Sequence, residues 1–250
     1  MLWLYVQAPF AACRTFTAGW YRPTASFLTP SAAYGFVLNL AGIESRLREG
    51  EVGHDGKTPT TLTRPDLPAM TLALGAPARN RDGGGVPFDA AFPRLQSVYQ
   101  QLHNYPVGVS GKERAEECKA NKYNITPVRR EFLTDLRVLV VIKDAESAFI
   151  DRLHRGLAGS LPRYGLPFLG DNNFLPDRVE VCRDPVECYW YELVLDSASG
   201  PQPRTTRLTV RIDRADSSRT TSYLYAPSES ASALPNESAW TQVGPLPARG

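Results

Sequence analysis

Histidine and cysteine are scarce in this chain of 250 residues, and what there is of them is scattered. His54, His103 and His154 lie far apart, and Cys13, Cys118, Cys182 and Cys188 include no C-x-x-C pair. Cys182 and Cys188 are separated by five residues with no histidine beside them, so zinc-ligand spacing is absent. Reduced thiols are expected, and with them a cytoplasmic location; no metal and no cofactor is expected. There is no Gly-x-Ser-x-Gly elbow and no dinucleotide fingerprint, which removes two large enzyme classes. Gly53-His-Asp-Gly-Lys-Thr58 suggests a phosphate loop, but Glu51 stands where the first glycine belongs and Pro59 follows. No apolar run approaches the roughly 20 residues of a membrane helix. Met1–Gln7 is apolar but lacks a basic leader, and reads as a buried strand rather than a signal peptide. A strong charge bias is missing too. The net charge of +2 does not point to nucleic acid unless basic residues cluster locally.

What is present is an ordinary globular composition, 42% apolar and 22% charged, long enough to bury a sizeable core. The stretch Phe27–Gly42 carries its own start and stop signals. Thr29 is placed as an N-cap, Pro30 suits the first helical position, and Gly42 stands where a left-handed residue would end the helix. Between them Ala33, Phe36, Val37, Leu40 and Ala41 recur at helical spacing. Gly35 inside the helix costs roughly 1 kcal/mol relative to alanine, so a close backbone approach is expected there. The free N–H groups and the Ser31 hydroxyl at the helix start make a candidate anion site.

Leu2–Gln7 reads as a central strand ended by Pro9. The loop to Leu28 holds Arg14, Trp20, Tyr21 and Arg22, and arginine beside aromatic rings is the usual make-up of a single-stranded RNA surface. A plain surface loop with a half-buried Trp20 is the alternative. Ala69–Leu74 reads as a second strand, and Arg94–His103 as strand rather than helix. Asn104–Arg130 has too little apolar content to join a core and is expected to protrude as an arm. From 112 to 130, six basic residues (Lys112, Arg114, Lys119, Lys122, Arg129, Arg130) oppose three glutamates, giving +3, with Tyr105 and Tyr123 interleaved. Backbone contacts plus stacking would suit that mixture; a solvated loop is the bland counterpart. Phe132–Ile142 is a clear strand. Asp144 is placed to cap a second helix, Ala145–Ala158, with Phe149, Ile150, Leu153 and Leu157 inward and His154 off that stripe. Strand, helix, strand, then strand, helix opens a ferredoxin-like βαββαβ unit in an α+β protein, with its fourth strand expected within 166–181. Gly165, Gly170 and Asp171-Asn172-Asn173 form a turn there that would let another backbone come close. Cys188–Asp196, Arg207–Asp213 and Thr220–Ala226 alternate as antiparallel strands, and 227–250 reads as a polar tail. The expected division is therefore a domain over 1–185 with its arm at about 104–130, a β region over 186–226, and the tail.

The order Gln7-Ala-Pro-Phe-Ala-Ala-Cys-Arg14, then Ala18-Gly-Trp-Tyr-Arg-Pro-Thr24, then the capped helix, resembles the CRISPR-associated protein five family, most nearly its DevS-type branch. The resemblance spans about residues 1–185. It implies a RAMP-type (RRM-like) ferredoxin fold whose arm is the thumb, hooking over the guide RNA, and whose strand–loop–helix unit faces the 5′ handle of the crRNA. It implies RNA-binding roles for Arg14, Trp20, Tyr21, Arg22, Ser31, Tyr105, Lys112, Arg114, Lys119, Lys122, Tyr123, Arg129, Arg130, Gly165, Gly170, Asn172 and Asn173. The implied partners are the crRNA, the Cascade backbone subunit, the Cascade large subunit and, through the assembled complex, target DNA; no membrane is implied. Some members of the resembled family cut repeat RNA without metal, which needs a near-neutral base and a cation. His103 with Tyr105, Tyr123 and Lys112 or Lys122 is the set that could do so here, and stands as the alternative to a non-catalytic role.

Overall fold

The computed structural model describes residues 1–14, 20–47, 62–80, 82–104, 124–171, 173–195 and 202–245. The chain folds as an α+β protein in which two helices pack on one large, mostly antiparallel sheet. The organising strand is β5, Asn124–Lys143, whose Val138–Ile142 run is buried on both faces. Along one edge of β5 lies β1, Leu2–Ala11, paired from Leu2↔Ile142 to Ala11↔Leu133. That line is continued by the two-residue β2, Tyr21–Arg22, parallel to Arg129–Arg130. Along the other edge lies β3, Met70–Pro77, followed by β4, Arg94–Asn104, which pairs with β5 from Arg94↔Thr134 to Asn104↔Asn124. Asp135, at φ +55°, sits where pairing with β3 has ended and pairing with β4 is about to begin.

Strand β1 is longer than its sequence suggests because Pro9 lies where no ladder bond is needed. The strand on its outer side, β6 (Arg178–Cys182), reaches only as far as Gln7. Helix α1, Pro30–Leu40, begins and ends as its residues dictate. Thr29 Oγ1 accepts from the Ala32 amide, and Gly42 takes φ +66° while the Gly42 and Ile43 amides donate to Asn39 and Leu38. Gly35, by contrast, is exposed, with open space where a side chain would stand, so no backbone approaches it. The close approach between helices is at Gly156 instead, in α2 (Ser147–Leu157), where a Cβ would strike the carbonyl of Leu40. Helix α2 also starts later than Asp144: that residue takes φ +57°, and Glu146 precedes the first turn without a side-chain cap bond. Both helices cover the face carrying Leu2, Leu4, Val6 and Ala8, with Phe36, Val37, Phe149 and Leu153 in the seam.

Beyond β3 the same sheet continues through β7 (Cys188–Leu193), β9 (Thr221–Pro227) and the edge strand β8 (Thr206–Arg211). These strands curl so that β8 meets α1. The stretch expected to be a tail departs from that expectation. It carries β10, Thr241–Val243, antiparallel to β3, with Val243 and Ala239 buried. Its Ser228 hydroxyl accepts from the Trp190 amide, and its Ser232 carbonyl from the Trp190 indole, each at 3.0 Å. Trp190 meets Trp3 edge to face at 6.0 Å in a second small core on the sheet face away from the helices. No helix among the described residues is long and apolar enough to cross a membrane.

Candidate nucleic-acid interface

Arginines gather at the end of β1, where the sheet narrows to β2, β5 and β4. Period two along β5 puts Arg129 and Glu131 on one face, and Arg130 and Phe132 on the other. The residues of β2 follow suit, Tyr21 beside Arg129 and Arg22 beside Arg130. On the first face the Arg129 guanidinium lies 5.5 Å from the centre of the Tyr21 ring, and the Tyr21 hydroxyl donates a short bond to Glu131. Glu131 is buried, and its other oxygen accepts from the Thr24 amide at 3.3 Å. That bond to a carboxylate is the first cause that raises the Tyr21 pKa above its ordinary value. Thr24 Oγ1 in turn accepts from the Cys13 amide at 2.7 Å, and the Trp20 carbonyl from the Arg129 amide at 2.8 Å. The segment is thus tied to the sheet at both ends, and Trp20 is left 61% exposed beside it.

On the second face Asp171 bridges two arginines. Its Oδ1 accepts from Arg14 Nη2 at 2.7 Å, and its Oδ2 forms an ion pair with Arg130. The side chains of Asp171 and Arg130 are only 16% and 17% exposed, whereas that of Arg14 is 44% exposed. Burial, then the positive charges of Arg14 and Arg22, lower the Arg130 pKa, as expected where like charges are crowded together. The turn that delivers Asp171 is fixed by Gly170, at φ +95°, where a Cβ would collide with the Ala12 carbonyl. The Ala12 amide donates to the Leu169 carbonyl at 2.9 Å across the same approach. Three rings complete this face. Phe10 lies 5.8 Å from Phe132 and from Phe174, Phe132 and Phe174 are 6.2 Å apart, and the Arg130 guanidinium sits 5.7 Å from the Phe174 centroid. The Nε groups of Arg129 and Arg130 are buried without a hydrogen-bond acceptor among the described residues.

Of the residues singled out in the sequence, Arg14, Trp20, Tyr21, Arg22, Arg129, Arg130 and Gly170 come together here. Arg129 and Arg130 lie in β5 at the foot of the β4–β5 hairpin, because that strand begins at Asn124. Tyr105, Lys112, Arg114, Lys119, Lys122, Tyr123 and Asn172 lie outside the described residues. Asn173 is exposed on the Asp171 turn. Gly165 is exposed at the far end of the same loop, its carbonyl accepting from the Asn39 side chain at 3.2 Å. Ser31 is half-buried, its hydroxyl is 3.2 Å from that of Thr29, and Pro30 beside it is buried. Sequence reasoning missed Glu131, Asp171 and the three phenylalanines. Phe132 could have been found, since period two places it on the face of Arg130.

His154 lines a cleft at the opposite end of β1 with Leu2, Ile142, Lys143 and Arg183, about 30 Å away on a ten-residue strand. Among the described residues no cluster of His, Cys, Asp and Glu could hold a metal ion. Cys13, Cys182 and Cys188 are free thiols, and burial pushes all three above the ordinary thiol pKa.

The geometry defines an α+β protein with one large sheet and a basic, aromatic patch at one end of it. Solved structures of similar shape include one titled "CRISPR RNA-guided surveillance complex", at 15% identity and TM-score 0.47, over 93% of this chain and 92% of that one. A second, "Crystal structure of Cas protein", is 14% identical with TM-score 0.39, over 90% and 92% of the two chains. No family profile matches the chain, and no curated protein does.

Proposed function

We propose that this protein is a non-catalytic RNA-binding subunit of a type I CRISPR surveillance complex, and that it grips the 5′ handle of the guide RNA. In such an assembly it would cap the filament of backbone subunits and dock the large subunit, with target specificity left to guide pairing. The resemblance of 7–42 supplies the family. The observation that carries the reading is the crowding of Arg14, Arg22 and Arg130 on one face of this sheet end and of Arg129 over Tyr21 on the other, with Trp20 exposed beside them, since cations bind the RNA backbone and rings stack on its bases. Strand order β6-β1-β5-β3, with α1 between β1 and β3 and α2 between β5 and β6, supports reading the central unit as ferredoxin-like. The β4–β5 hairpin then leaves that unit as the thumb.

Binding of single-stranded repeat RNA against salt concentration tests the proposal. Arg14→Ala with Arg22→Ala should reduce the magnitude of the salt slope by as much as about 1.4, roughly 0.7 for each phosphate no longer neutralised. The RNA recovered after incubation in chelator at neutral pH should be intact. An unaltered slope in a folded double variant would remove the patch from the RNA surface. Specific cutting at the handle boundary, abolished in His103→Ala, would replace this reading with the endoribonuclease.

A further inference from the structure

We infer that Phe10, Phe132 and Phe174 form a nucleobase-stacking platform on the sheet face that carries Arg130, with Arg14 as its phosphate rim. The inference rests on the RNA-binding reading and adds to it a subsite for one splayed base. Phe10 is 43% exposed near the end of β1. It belongs to neither of the two buried clusters, and its near neighbours are the other two rings. Three rings at about 6 Å in one patch present an apolar surface broad enough for a single base.

The charges beside the rings decide the occupant. Arg130 lies over Phe174, Arg14 is joined to Arg130 through Asp171, and Arg22 is near enough for its charge to lower the Arg130 pKa. That sets the guanidinium groups of Arg14, Arg22 and Arg130 against the carboxylate of Asp171 at the edge of an apolar patch. An aliphatic side chain of a protein partner has no use for such a rim, whereas a base arrives attached to a phosphate. Asp171 sits on the turn that Gly170 holds against Ala12. Its role is to hold Arg14 at the rim and to neutralise Arg130 beneath it. Arg14 therefore keeps guanidinium donors for the ligand while Asp171 engages one Nη.

The full-length protein, titrated with fluorescein-labelled oligouridylate, tests this directly. Phe10→Leu keeps an apolar side chain but removes the ring, and should weaken binding roughly 5- to 150-fold with little change in salt slope. Phe10→Trp should bind as tightly as the unaltered protein. Replacing one uridine by an abasic nucleotide should weaken binding to the unaltered protein and leave Phe10→Leu indifferent. With 4-thiouridine in that position, photocrosslinks should fall on Phe10 or Phe174. If Phe10→Leu binds like the unaltered protein while Arg14→Ala flattens the slope, RNA is bound but no base stacks here, and the platform is overturned alone. If unaltered protein shows no oligouridylate binding at all, the RNA-binding reading fails first and the platform with it.

Discussion

Glycines show how much one residue can and cannot say. Gly35 and Gly170 look alike in the sequence as glycines in tight company, yet their surroundings are opposite. Gly35 is in an exposed helical position with nothing within reach of a Cβ. Gly35→Ala should therefore stabilise the protein by about 0.5–1 kcal/mol, the ordinary difference in helix propensity. Gly170 combines φ +95° with a Cβ that would meet the Ala12 carbonyl. Gly170→Ala should cost more than the roughly 1–3 kcal/mol of backbone strain alone, because β1 or the turn must also shift. Urea unfolding of the two variants reads both signs; a neutral Gly170→Ala would mean the turn is not held against β1. The caps of α1 were legible because Thr29, Pro30 and Gly42 act within one turn of the helix. The surroundings of Gly156 and Gly170 were not, since each is set by an element distant in sequence.

At the scale of elements, β2 is the piece whose order matters most to the patch. Two residues cannot form a strand by themselves. Tyr21–Arg22 is held by the parallel bridge to β5, by the bond from the Arg129 amide to Trp20, and by Glu131. Glu131 is an acidic side chain turned into this face from β5, and it accepts from both the Tyr21 hydroxyl and the Thr24 amide. Glu131→Ala should leave the Thr24 amide without its acceptor, costing about 1–3 kcal/mol. Hydrogen exchange should then speed up in the amides around 20–25 while β3 and the Val138–Ile142 stretch of β5 stay protected. Equal acceleration everywhere would mean that Glu131 supports the whole sheet instead. The hairpin was half legible. Alternation gave the β4 strand, but the thin apolar content of 104–130 hid the fact that β5 begins at Asn124, because a ribbon paired through its backbone needs few apolar side chains. Arg129 and Arg130 thereby move from a solvated arm to the foot of a sheet. With Arg130 paired to Asp171 and largely enclosed, its replacement carries a cost in stability as well as in binding.

For the molecule as a whole, the C-terminal stretch is where composition misled most. Residues 227–250 are rich in Ser, Pro and Ala, which by composition alone cannot pay for folding. Within the fold they need not do so. Their apolar residues are few but placed: Val243 is buried beside Met70, Ala239 joins Trp190, and the Trp240 ring lies 4.0 Å from the Lys143 ammonium. The polar residues are used as well, since Ser228 and Ser232 satisfy both N–H groups of Trp190, the largest fully buried side chain. Ending the chain after Pro227 would remove β10 from the edge of β3, strip those two acceptors from Trp190, and open the small core around it. Burial of Val243 and cover for Trp190 are each worth about 1.5–3 kcal/mol, and each orphaned donor about 1–3 kcal/mol more. Against a total stability of roughly 5–15 kcal/mol, that truncation should lower the melting temperature sharply or prevent recovery of folded protein. Ending the chain after Pro245 removes none of these interactions. Because the Arg14 patch lies at the far end of β1 from Trp3 and Trp190, any truncated protein that does fold should still bind single-stranded RNA with the same salt slope. A melting temperature equal to that of the full chain after truncation at 227 would show that β10 merely rests on the sheet.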